Sequence, residues 1–449
     1  MKQKLLTLVL TSLVVVSLAA CVAPSTQPAA QPTVAQAQPT TAAEQPATAE
    51  KVTIRLMDQF TDDSDMVGMD ALVKAFMEKY PNIEIKRDPV TSDNMRTMVQ
   101  TSLASGEGPD IIYYDTGPGF AGVLARAGLL MPLEEAYKQH NWDERIFPWT
   151  KARTTFDGKV YGIGNELEFL GGYYNKDLFK KLGLSEPKTY EDLLAICQKA
   201  KEAGYVPITF GDADKWPAYH MFSMTTNNLI GKVGLDNILF GDGRWDSPEV
   251  QRAIQLFFED MNKAGCFIPD TTAVNYDDAN TVFYSGKGLI DLTGTWLTAD
   301  IQNNAKDFEV GWLFFPPIDG KPSYPPAGLG SGYFVSSKTA HPQEATQFLD
   351  FLFSEEAAKV WLEQMSKIPP IKLDTSQYNL SPLVKFEIDA LQSQEMGYNI
   401  DVLTPDTFNT MMSDGFQSVL LGEKTAEQQA QDLEKVWEEA KAAGKILKQ

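Results

Sequence analysis

Between residues 52 and 114 the chain alternates apolar runs with helical stripes, and this alternation constrains its fold more than any other feature. Val52, Ile54 and Leu56 have the two-residue period of a half-buried strand. Met69, Leu72, Val73, Phe76, Met77 and Tyr80 follow at helical spacing, and Pro81 ends the stripe. Ile83 and Ile85 begin a second strand. Met95, Met98, Val99 and Leu103 mark a second helix, which the Gly-Glu-Gly-Pro run at 106–109 breaks before a third strand, Ile111-Ile112-Tyr113-Tyr114. Strands alternating with helices predict a largely parallel sheet with right-handed crossovers. Ligands of such sheets sit outside the carboxyl ends of the strands, here Asp58-Gln59-Phe60 and Asp115-Thr116-Gly117. For Asp58, Asp62 and Asp65 the competing role is to cap the first helix.

Charge and motifs remove several function classes. The chain carries 39 Lys and Arg against 60 Asp and Glu, a formal charge of −21, and a field of that sign repels phosphate backbones and anionic lipid. Nucleic acid is therefore not an expected partner. Three histidines leave little for a His-rich metal site, and the calcium-loop spacing fails because Val67 stands where an oxygen ligand is required. The chain contains no G-x-S-x-G, Walker loop, H-E-x-x-H or C-x-x-C. Neither a metal nor a cofactor is expected.

The amino terminus reads as a leader. Lys2 and Lys4 precede an apolar run from Leu5 to Leu18, shorter than the ~20 residues of a spanning helix, and Leu18-Ala19-Ala20-Cys21 follows. This sequence resembles the lipobox of bacterial lipoproteins. That resemblance implies a signal peptide over 1–20 and lipidation of Cys21, with an ordinary signal peptide as the alternative. Residues 21–50 are mostly Ala, Pro, Thr, Gln and Ser, too poor in apolar bulk to fold, and read as a disordered tether. Cys197 and Cys266 read as two buried core thiols; in an exported chain a disulfide between them is the alternative.

The rest of the chain combines carboxylates with aromatic residues. Glu166 and Glu168, two apart, would share one face of an extended segment. Trp216 and Trp296 fall in predicted loops, where an indole needs a partner; a sugar supplies one, since its C–H face stacks and its hydroxyls suit carboxylates. Local packing is the plainer role for each tryptophan. Helices are predicted at 190–203, 248–264, 342–353, 355–365, 405–421 and 425–442, with strands at 206–210 and 289–292.

Several motifs in order resemble one family. These are the lipobox, Pro109–Asp115, Ala127–Leu133, Tyr173–Phe179, the F-x-x-G-K-G run at Phe283 and the Gly422–Thr425 junction. Together they make the chain similar, from residue 51 onward, to extracellular solute-binding proteins of the maltose-binding-protein-like type, carbohydrate receptors of ABC importers. The resemblance implies an α/β, two-lobe periplasmic-binding-protein fold of type II, with mixed sheets flanked by helices and a hinge of three crossings, near Ile163, Gly330 and Tyr378. The lobes would be 51–163 with 330–378, and 164–329 with 379–449. Carried over by position, the resemblance implies ligand contacts at Gln59, Asp115, Gly117, Glu168, Trp296, Gly330 and Phe408. Glu166 and Trp216 join them as candidates from the residue reading. Expected partners are a mono- or oligosaccharide, the ABC permease transmembrane subunits and, through Cys21, the outer face of the cytoplasmic membrane. The receptor is expected to be a monomer and not an enzyme. Two alternatives keep the cleft and change what it does. One is a receptor for a cationic or other small solute, the other a surface-anchored glycosidase using Glu168.

Overall fold

The structure, a computed structural model, describes residues 51–328 and 330–446. The leader, Cys21 and the whole tether of residues 21–50 lie outside the described residues. Among those that are described, no helix is long and apolar enough to cross a membrane.

Two sheets organise the chain. The first has the strand order Ile83–Pro89, Val52–Asp58, Ile111–Asp115, Ser331–Val335, Gly162–Gly164. Its three amino-terminal strands pair in parallel, as their alternation with helices requires, while Ser331–Val335 arrives antiparallel from far along the chain. The second runs Gly397–Tyr398, Pro326–Gly328, Glu168–Asn175, Gly288–Gly294, Val206–Ile208, with Val310–Leu313 also pairing on Glu168–Asn175. Only the two end pairs of this path are parallel.

Each sheet has its own cores. Side chains of the first pack against helices on both faces, with Phe76, Phe348 and Trp361 on one side and Met95, Leu124 and Phe334 on the other. Those of the second do likewise, with Phe222, Trp245, Phe257 and Phe416 on one face and Phe169, Tyr173 and Trp312 on the other. Separate cores make this a two-lobe α/β molecule. The chain passes between the sheets at 165–167, between the strands Pro326–Gly328 and Ser331–Val335, and again between the first lobe's Ile371 and the helix Pro382–Ser393, which packs through Ala390 on the second lobe.

Cys197 and Cys266 are joined in a disulfide, not held as two core thiols. The amphipathic helix Tyr190–Glu202 buries Cys197 fully. Gly265, at φ +69°, turns the chain out of the preceding helix so that Cys266 faces back across that core, with the two Cα atoms 5.1 Å apart. That separation suits a bridge.

Trp216 does not sit in a free loop: it begins the helix Pro217–Phe240, whose Pro217 stands at the first turn. This helix is buried through most of its first half, Ser223, Thr225, Thr226, Asn227 and Asn228 included, and kinks at Gly231.

Candidate functional site

The turns after the first-sheet strands face those of the second lobe across a cleft of about 1070 Å³, open to solvent. Gln59, Asp115, Glu166, Glu168, Trp216, Trp296 and Gly330 all line it; Gly117 and Phe408 do not.

Asp58 shapes the first turn without entering the cleft. Its buried carboxylate accepts from Arg87 at 2.9 and 2.8 Å and from the Phe60 N–H at 3.1 Å, which folds the chain back and leaves Gln59 toward the cleft. Gln59 Nε2 is buried with no hydrogen-bond partner. Phe60 stacks on Tyr113 at 4.4 Å. Asp62 occupies the cap position of the following helix but makes no side-chain cap bond. Burial, then the charges of Asp300 and Asp277, push its carboxyl up to about 6.

At the third turn Asp115 is held by both oxygens: Arg96 Nε donates at 2.9 Å and Nη2 at 3.1 Å. Such a two-pronged pair fixes geometry as well as charge. Gly117, at φ +89°, takes a backbone conformation that side chains disfavour, and a Cβ there would overlap the carbonyl of Val402 from the other lobe. Its role is to let two loops approach.

Lys367 is the centre of the cleft floor. It is 4% exposed, donates to Glu166 Oε1 at 3.2 Å and to the Trp296 carbonyl at 3.1 Å, and lies 3.5 Å from Asp65 Oδ2. Burial opposes its charge, but Asp65, Glu166 and Asp300 outweigh that and raise its pKa. The Asp65 carboxyl is pushed up to about 7, by burial first and by its acidic neighbours, against the pull of Lys367. Glu166 reaches this pair from a residue at φ +55°, not from an extended segment shared with Glu168. Glu168 begins its strand opposite Gly328, and its carboxyl fills the space a Cβ at Gly330 would need. Burial, then Glu166, holds that carboxyl well above the usual carboxylate range.

The second lobe contributes an aromatic wall. Trp216 lies 4.5 Å from Tyr276 and 6.3 Å from Trp296, ring to ring, and Trp296 Nε1 donates to the Tyr276 hydroxyl at 2.9 Å. His220 leans on both tryptophans, and burial lowers its pKa to about 3, so the imidazole is neutral.

Phe408 belongs to the core. The helix Asp406–Leu420 turns it onto Trp245 at 4.8 Å and Trp437 at 5.5 Å, fully buried, because its apolar face packs on the helix Ala426–Ala442. Its neighbour Asn409 instead donates to the Asp401 carbonyl at 3.0 Å and holds the loop that brings Asn399, Asp401 and Val402 to the cleft. Arg96, Lys367, Tyr276 and Asp401 are site residues that sequence reasoning missed. Only Tyr276 carried a signal, an aromatic directly after the Asn275 helix cap. Among the described residues no cluster of His, Cys, Asp and Glu is arranged to hold a metal ion.

This geometry, two α/β lobes with an aromatic and carboxylate cleft between them, defines a solute-receptor class. Comparison with known proteins gives the family: the bacterial extracellular solute-binding protein profile matches residues 62–359, and the chain belongs to that family. It is 27% identical over 409 residues to an uncharacterised ABC transporter extracellular-binding protein of Pyrococcus horikoshii, covering 88% of this chain and 86% of the relative. It is 26% identical to a multiple sugar-binding protein of Streptococcus mutans, over 70% of this chain and 74% of the relative. The solved structure of a chitin oligosaccharide binding protein superposes with a TM-score of 0.78 at 24% identity, covering 87% of this chain and 99% of the other. That last likeness establishes the type II fold.

Proposed function

We propose that the protein is the sugar receptor of an ABC importer, which encloses a mono- or oligosaccharide between its lobes and delivers it, chemically unchanged, to permease subunits. Lipidation at Cys21 would hold the monomer at the outer face of the cytoplasmic membrane, on the tether of residues 21–50. The lobes would be 51–163 with 330–378, and 164–329 with 379–449, moving about the three passages between the sheets.

One observation carries this reading: the Trp216–Tyr276–Trp296 wall faces hydrogen-bonding carboxylates across a cleft that both lobes build. A pyranose ring has an apolar C–H face for the wall and a rim of hydroxyls for Gln59, Glu168 and Asp401. Micromolar binding needs about 8 kcal/mol, which a few stacked rings and charge-assisted hydrogen bonds supply. Ser64 Oγ of the first helix donates to Asp300 Oδ1 of the helix Thr298–Asn304 at 2.7 Å, a buried contact between the lobes.

A thermal-shift screen of mono- and oligosaccharides tests the proposal, because a ligand specific to the folded state raises the melting temperature by mass action. At least one sugar is expected to raise it, and to be recovered intact after long incubation. A flat screen contradicts receptor function, and cleaved oligosaccharide contradicts binding without chemistry.

A further inference from the structure

The cleft is far more acidic than a neutral sugar requires. Nine carboxyl side chains line it against two cations, Arg96 and Lys367. Arg96 is engaged by Asp115 and lies 3.9 Å from Asp93, while Lys367 is engaged by Asp65 and Glu166. Asp62, Glu168, Asp214, Asp277 and Asp401 line the same cleft and form no ion pair among the described residues. Arg153 stands near Asp401 outside the cleft lining, close enough to feel its charge.

Two of the cleft's buried carboxyl oxygens have no hydrogen-bond partner among the described residues. Asp401 is 4% exposed and Asp65 7% exposed, both line the cleft, and Oδ1 of each is unpartnered. Closing the lobes over a neutral ligand would strip water from those of these carboxyls that stay ionised while adding no opposite charge, and an uncompensated buried carboxylate is costly. A hydroxyl offers one proton and no charge; an ammonium offers three donors and the missing charge.

The aromatic wall stands where the uncompensated acids gather. Asp214 accepts the Tyr276 N–H at 2.8 Å, Asp277 is the next residue on that helix, and Asp62 approaches from the opposite lobe. Indole and phenol faces attract a cation through their quadrupole. We infer that the transported sugar carries a protonated amino group, lodged against Trp216, Tyr276 and Trp296 between Asp62 of one lobe and Asp214 and Asp277 of the other. The ligand class is thus an amino sugar with a free, non-acetylated amine. This inference rests on the reading of the cleft as a sugar site.

The test compares glucosamine oligosaccharides of two to four rings with their N-acetylated and neutral glucose counterparts, by calorimetry at about pH 6.5, below the ordinary amino pKa of about 7.7–8.0. The free-amine series is expected to bind at least about tenfold more tightly than either counterpart, and to weaken as salt rises through the range where the Debye length falls from about 10 to 3 Å. In the variant Asp62→Asn/Asp277→Asn that preference should disappear; the salt dependence of the unaltered protein decides the matter if the variant does not fold. Equal or tighter binding of the acetylated or neutral sugar overturns the amino-sugar inference and leaves the sugar receptor standing. Binding of spermidine with no response to any sugar overturns both.

Discussion

Lys367 is the residue on which the cleft floor depends. It joins Asp65 of the first lobe, Glu166 in the passage between the lobes and the Trp296 carbonyl of the second, all out of bulk water. Replacing it with a neutral side chain leaves two buried carboxyls facing each other. Lys367→Met should therefore destabilise the protein by about 3–5 kcal/mol, read by urea unfolding, unless the medium is acid enough to protonate both. The raised carboxyls also set a pH dependence. Asp62 is pushed to about 6, and Asp65, Asp291 and Asp401 to about 7, in each case by burial first. The folded state binds these protons more tightly than the unfolded state does. Their contribution is complete below the unfolded carboxylate value and is lost as pH rises through 6 to 7. The melting temperature of the ligand-free protein should fall between pH 5 and pH 8; a rise across that window would contradict the burial of Asp65, Asp291 and Asp401. None of this is legible in the sequence, because a lysine that bridges two lobes reads there like one on a solvated face.

At the scale of elements, legibility follows periodicity. The helices over 63–79, 190–202 and 426–442 carry apolar stripes and are readable, the last two with capping boxes at Thr189 and Thr425. Pro217–Phe240 is not, because the part that carries His220 to the cleft is buried all round and shows no stripe. Phe408 misleads for the opposite reason: an aromatic on an amphipathic helix matches a ligand contact by position while its helix face packs inward. Gln59 and Asp115, at strand ends, do reach the cleft, since a parallel sheet gathers those ends in one place whatever the loops contain, though Gly117 two residues on does not. The Cys197–Cys266 bridge, across a sequence separation of 69, stays open in the sequence because spacing alone does not place one cysteine against the other. Reduction, or Cys197→Ala with Cys266→Ala, should cost about 2–4 kcal/mol, visible in calorimetric unfolding. If reduction leaves the unfolding transition unchanged, the bridge adds nothing to the second lobe.

For the whole molecule, two lobes with separate cores and few crossings can rotate as bodies, and ligand between them shifts the balance toward closure only by its differential affinity. Small-angle scattering should show a smaller radius of gyration in the saturated protein than in the free one; identical curves would mean that binding does not move the lobes. The central claim is narrower, that a sugar is held against the aromatic wall of this cleft. Calorimetric titration of the sugar found by thermal shift, into the intact protein and into Trp296→Ala, tests it most directly. One site per chain is expected in the intact protein, and a loss of about 2 kcal/mol, roughly 30-fold, in the variant, with the fold retained. Undiminished affinity in Trp296→Ala would contradict the claim.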